Sequence, residues 1–78
     1  MKPRKRSLTI AGHRTSISLE EPFWQAMSEA AAARGVSPST LVAEIDGSRG
    51  ETSLSSAIRL YLLEYYRKQI AQGSSGGG

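Results

Sequence analysis

Polar and apolar positions alternate in the stretch RTSISL. Thr15, Ile17 and Leu19 fall on one side, and Arg14, Ser16 and Ser18 on the other. A period of two, rich in β-branched residues, predicts a half-buried strand over about 13–19. Leu8 and Ile10 alternate upstream, with Ala11-Gly12 marking a bend or bulge before the strand. The period then lengthens. Phe23, Ala26, Met27 and Ala30 recur at three-four spacing, the apolar face of a helix over about 21–34. Glu20, Glu21 and Pro22 suit its first turn, and Gly35 its left-handed end. Ser37-Pro38 restarts a helix over about 38–46, with Leu41, Val42 and Ile45 on its apolar face. The run DGSRG stops it. A third helix, about 53–70, carries Leu54, Ala57, Ile58, Tyr61, Leu62 and Tyr65 on one stripe, flanked by Leu60, Leu63 and Tyr66. An apolar arc this wide belongs in a core or an interface.

These elements predict a mainly α fold with one β-strand. At 78 residues the chain is small, and small folds need a staple. It has no cysteine and a single histidine, so neither disulfides nor a metal site supplies one. A second copy of the chain remains. A lone strand also leaves its backbone groups unpaired, and pairing with the same strand of a second chain across a two-fold axis satisfies them. The expected molecule is an intertwined homodimer with a two-stranded antiparallel ribbon. Its core draws on Ile17, Leu19, Phe23, Met27, Leu41, Ile45, Leu54, Ile58, Tyr61, Leu62 and Tyr65. Residues 1–6 read as a flexible basic arm, 7–71 as the domain, and 72–78 as a flexible tail. Trp24 lies off the main helical stripe, available to pack on the partner or on the bent arm.

Charge changes the picture further. The net charge is +3, yet the first 14 residues alone hold five cations and no acid. A basic end on a near-neutral body is the footprint of a phosphate-binding protein, or else a solvated tail. A two-stranded ribbon fits the major groove of B-DNA. Arg14 can donate twice to a guanine edge, while Ser16 and Ser18 reach bases less selectively. Lys2, Arg4, Lys5 and Arg6 supply phosphate contacts, with His13 beside them. The bland alternative for Arg14, Ser16 and Ser18 is the solvated face of a strand. No nucleophile–base pair, close carboxylate pair or P-loop is present, so no enzyme activity and no cofactor are expected. No stretch approaches the ~20 apolar residues of a membrane span. Neither is there a signal-peptide pattern, which leaves a cytoplasmic protein as the expectation.

The block KRSLTIAGHRTSISLEEPFW, followed by ARGVS, TLVAEID and LSSAIRLYLLEYY, resembles the ribbon-helix-helix family of bacterial repressors, the MetJ and Arc group. The likeness covers about residues 4–68. It implies a dimer whose paired strands enter the major groove, with Arg14, Ser16 and Ser18 reading bases. It also implies a phosphate anchor at the start of the second helix, here Ser37 with Ser39, resting on free N–H groups and the helix dipole. That family has two helices after its strand, whereas this sequence predicts three. Either 38–46 or 53–70 is the family's second helix, and the anchor is accordingly Ser37 or Thr52-Ser53. A transcriptional repressor or autoregulator is the resulting expectation. The alternative is an interaction module, such as the DNA-binding half of an antitoxin with a protein partner on its last helix.

Overall fold

The structure is a computed structural model that describes residues 1–77, with side chains through residue 72. The last helix continues past its expected end at about 70 and through residues 72–77 of the expected tail, and of that tail only residue 78 lies outside the described residues.

The first surprise is a strand where an arm was expected. Two strands, β1 (Pro3–Ile10) and β2 (His13–Glu20), pair antiparallel within one chain. The single-strand expectation is thereby corrected, and the arm at 1–6 is strand from Pro3 onward. The ribbon needs no second chain, because Ala11-Gly12 forms a two-residue turn instead of a bulge. Both residues adopt positive φ, 51° and 84°. That is the pattern of the hairpin turns whose twist matches the flanking strands. Ala11 is the only described non-glycine residue at positive φ.

Helix α1 (Glu21–Arg34) follows β2 without a linker, and Pro22 sits in its first turn. It ends where expected. Gly35 takes the left-handed conformation at φ 72°, its N–H donates to the Ala32 carbonyl, and the Val36 N–H reaches back to Ala31. This reciprocal pair satisfies carbonyls that a helix end leaves open. Helix α2 (Pro38–Ser48) starts at Ser37, whose Oγ accepts the Thr40 N–H at 3.1 Å. It runs two residues past the expected end at 46. Arg49 then fastens the turn, with Nε on Asp46 at 2.6 Å and Nη1 on the Thr52 carbonyl at 2.7 Å. Helix α3 (Leu54–Gly77) is capped by Ser53, whose Oγ accepts the Ser56 N–H.

The core lies between the inner face of the hairpin and the three helices. Ile10, Ile17 and Leu19 come from the hairpin, Trp24, Met27, Ala30 and Ala31 from α1, Leu41, Val42 and Ile45 from α2, and Ile58 and Leu62 from α3. Each large side chain so buried contributes about 1.5–3 kcal/mol. Of the residues expected at the centre of a dimer, Ile17, Leu19, Met27, Leu41, Ile45, Ile58 and Leu62 are therefore buried within one chain. Phe23, Leu54, Tyr61 and Tyr65 pack half-buried around them. What one chain leaves uncovered is a different set, dominated by Leu60, Leu63 and Ile70.

Candidate nucleic-acid interface

The register of the hairpin decides which side chains share a face. Arg14 stands opposite Thr9, Ser16 opposite Ser7, and Ser18 opposite Lys5. Directly opposed residues point to the same side of a sheet. The outer face is therefore Lys5, Ser7 and Thr9 on β1 with Arg14, Ser16 and Ser18 on β2, and all six are exposed. Hydroxyls occupy its middle and a cation lies toward each end. Among the described residues neither Lys5 nor Arg14 forms an ion pair. Sequence reasoning placed Arg14, Ser16 and Ser18 on this face but missed Ser7 and Thr9 entirely, and it took Lys5 for part of a mobile arm.

The remaining predicted cations go elsewhere. Arg4 and Arg6 occupy the opposite, inward positions, paired with Leu19 and Ile17. Both reach Glu21, Arg4 at 3.0 Å and Arg6 at 3.5 Å. The Arg6 guanidinium also lies 5.2 Å from the centre of the Trp24 ring. Trp24 is itself buried, and its Nε1 donates to the Arg4 carbonyl at 2.9 Å. Of the two sites open to it, Trp24 thus packs on the upstream segment of its own chain. These contacts fasten β1 onto α1, so Arg4 and Arg6 hold the ribbon in place. Lys2 is exposed just ahead of β1. His13 is exposed beside the turn, on the inner side of the sheet opposite Ile10.

The far end of the ribbon is fixed by α3. Ser55 Oγ donates to the Ser18 carbonyl at 3.0 Å. Arg59 clasps Glu20 Oε1 with Nε at 3.1 Å and Nη2 at 2.7 Å, and its guanidinium lies 5.6 Å from the Phe23 ring centre. The Arg59 hydrogen bonds, with help from a backbone bond, hold the Glu20 carboxyl below the usual carboxylate range. Thus the first two turns of α3 hold the end of β2 at Ser18 and Glu20, while the side chains of Arg14, Ser16 and Ser18 stay exposed. Of the two phosphate anchors open from the sequence, Thr52-Ser53 adjoins this grip. Ser37 is exposed with its hydroxyl engaged by Thr40, and Ser39 is half-buried.

Among the described residues no group of His, Cys, Asp or Glu is placed to hold a metal. No described helix is long and apolar enough to cross a membrane. What the outer face offers is a strip of donors and acceptors with positive charge and no carboxylate in its middle, borne on a two-stranded ribbon.

A family model described as a ribbon-helix-helix domain matches residues 3–66, from the first residue of β1 to Tyr66 in α3. No curated protein and no solved structure matches the chain.

Proposed function

This chain belongs to the ribbon-helix-helix family, a non-enzymatic fold whose domains are in general DNA-binding transcription regulators and typically dimerise, and on that premise we propose that it binds specific double-stranded DNA sequences as a dimer, acting as a repressor or autoregulator in the bacterial cytoplasm. The observation that carries the reading is the outer face of the hairpin. Six exposed polar side chains from two paired strands form one surface, and its two cations form no ion pair among the described residues. A ribbon of two strands has the width that the major groove admits. Arg14 reads a guanine edge through two hydrogen bonds, and the hydroxyls of Ser7, Thr9, Ser16 and Ser18 reach neighbouring bases and phosphates. Lys5 and Lys2 meet phosphates, which adds affinity and salt dependence without sequence information. Arg4 and Arg6, half or more exposed in their side chains, contribute charge while holding the strand.

Selection of random duplexes by the purified protein at physiological salt tests this. The expected result is a short, roughly palindromic motif. On that motif Arg14→Ala loses about 1–3 kcal/mol and relaxes the preference at one base pair, whereas Lys5→Ala weakens binding to all duplexes alike and lowers the salt slope by about one. No enriched motif, or an Arg14→Ala protein that selects as the parent does, sinks the reading.

A second reading, a protein-interaction module of the antitoxin kind, draws on the uncovered apolar side chains of α3, Leu60 and Leu63. It predicts stable capture of a different protein by that helix, with or without DNA.

A further inference from the structure

Serines at the start of a helix ordinarily cap it, their hydroxyls accepting one of the free N–H groups of the first turn. In α3 that task falls to Ser53, which accepts from the Ser56 N–H. Ser55 is released from it. Its Oγ turns away from its own helix and donates to the Ser18 carbonyl at 3.0 Å, across 37 residues of sequence. The residue it holds carries its side chain on the exposed outer face.

The two ends of β2 are held unequally. At one end the Ser18 carbonyl is bound by Ser55, Leu19 is fully buried, and Arg59 clasps Glu20 through two hydrogen bonds. At the other end His13 and Arg14 are exposed, and among the described residues no side-chain hydrogen bond reaches either. The residue types differ in the same sense. Arg14 carries its own selectivity, because a guanidinium presents two donors in a rigid fork that matches a guanine edge. Ser18 carries little. A hydroxyl rotates, donates and accepts, and so satisfies most base edges. Such a group discriminates only when the backbone beneath it is fixed, to within about 0.5 Å. The hold is placed at the end whose chemistry needs it.

We propose that Ser55 is a positioning residue for base recognition: by fixing the Ser18 peptide it sets how the Ser18 hydroxyl meets the duplex, and so gives a preference to a side chain that has little of its own. The proposal rests on the DNA reading above. Ser55 acts through Ser18 and not by touching a base. Its loss costs the fold little, since alanine is the better helix former and Ser53 keeps the cap. Ser55 is only half-buried, so water reaches the carbonyl that its removal frees. A loss of selectivity is thereby separable from a loss of structure.

Selection of random duplexes by Ser55→Ala, Ser55→Thr and Ser18→Ala, beside the parent, tests it. In Ser55→Ala the preference at the base pair that Ser18→Ala also relaxes falls about fivefold, the worth of one ordinary hydrogen bond. The preference at the base pair relaxed by Arg14→Ala is unchanged, as are binding to nonspecific duplex and its salt dependence. Ser55→Thr keeps the hydroxyl and selects as the parent does. Adding Ser55→Ala to Ser18→Ala changes nothing further, because the group being positioned is gone. A merely structural role relaxes both base pairs together, and that result overturns the proposal. So does a Ser55→Ala protein that selects as the parent, or a Ser55→Thr protein that selects as Ser55→Ala. The hold is also read without DNA. In Ser55→Ala, amide exchange of the free protein quickens at Leu19, whose N–H belongs to the Ser18 peptide, and keeps the parent's rate at Thr15. An unchanged rate at Leu19 overturns the proposal whatever the protein binds. A quickened rate in a protein whose parent selects no sequence refutes the DNA reading and leaves the hold standing.

Discussion

The two faces of the hairpin are built from overlapping residue types and do opposite things. Each carries two cations and at least one hydroxyl. On the inner face Arg4 and Arg6 find Glu21 and the Trp24 ring, while Leu8, Ile10, Ile17 and Leu19 close over the helices. On the outer face Lys5 and Arg14 form no ion pair among the described residues, and Ser7, Thr9, Ser16 and Ser18 are exposed. An arginine is thus engaged within the fold or turned to solvent according to the face its register assigns, and a shift of one residue would exchange the two. What makes the outer face a candidate site is the absence of internal ion pairs, more than the identity of its residues.

The comparison breaks most visibly at its inner side. Leu19 is fully buried, so Leu19→Ala is expected to cost about 2–5 kcal/mol in urea unfolding. Its neighbour on the opposite face behaves otherwise, since Ser18→Ala removes only an exposed hydroxyl and shifts stability by about 0.5 kcal/mol or less. Equal losses at the two positions would mean that the outer face is covered in solution. A smaller and opposite effect is expected at the turn that sets the register. Ala11 holds a left-handed conformation that costs an ordinary residue about 1–2 kcal/mol. Ala11→Asn is suited to that conformation and should raise stability by about 1 kcal/mol without altering DNA preference. No gain would argue that the hairpin opens in solution.

The smallest effect concerns the clasp at the end of β2. Glu20 is held below the usual carboxylate range chiefly by Arg59. A carboxyl lowered in the folded state stabilises the fold above its unfolded value, and that stabilisation is lost as pH falls through the folded value. Glu20→Gln should therefore be less stable than the parent at neutral pH, and the difference should shrink on acidification below the carboxylate range. Parallel denaturant curves at descending pH check this, and a gap that widens toward acid would exclude the clasp as its source.

Much of this was legible in the chain. Thr15, Ile17 and Leu19 announced β2 and its inner side, and Gly35, Ser37-Pro38 and Ser53 marked the helix ends within two residues. The strand β1 was not legible, for a physical reason. Its inward positions hold Arg4 and Arg6, whose stems lie along apolar surface while their heads reach polar partners. A test that counts arginine as polar sees residues 3–7 as uniformly hydrophilic. The hairpin turn was hidden too, because Ala-Gly lacks the Asn-Gly or Asp-Gly signature of such loops. Once β1 was taken for an arm, the ribbon had to be completed by another chain, and Ser7 and Thr9 dropped out of the candidate site. Trp24 followed from the same omission, since the surface that buries it is β1. On the outer face the alternation identified three of six residues correctly, and only the register supplies the others.

The indole beneath β1 makes the molecule its own gauge. Trp24 is the sole tryptophan, buried, with its N–H on the backbone of the first strand and a guanidinium over its ring. Its emission is therefore set by whether that strand lies down or lifts away. Undocking of β1 moves the ring into water and its fluorescence to the red, while a hairpin that stays seated leaves the spectrum blue. Without any added label, the colour of one residue tells whether the strand carrying Lys5, Ser7 and Thr9 stays seated when the protein meets its ligand.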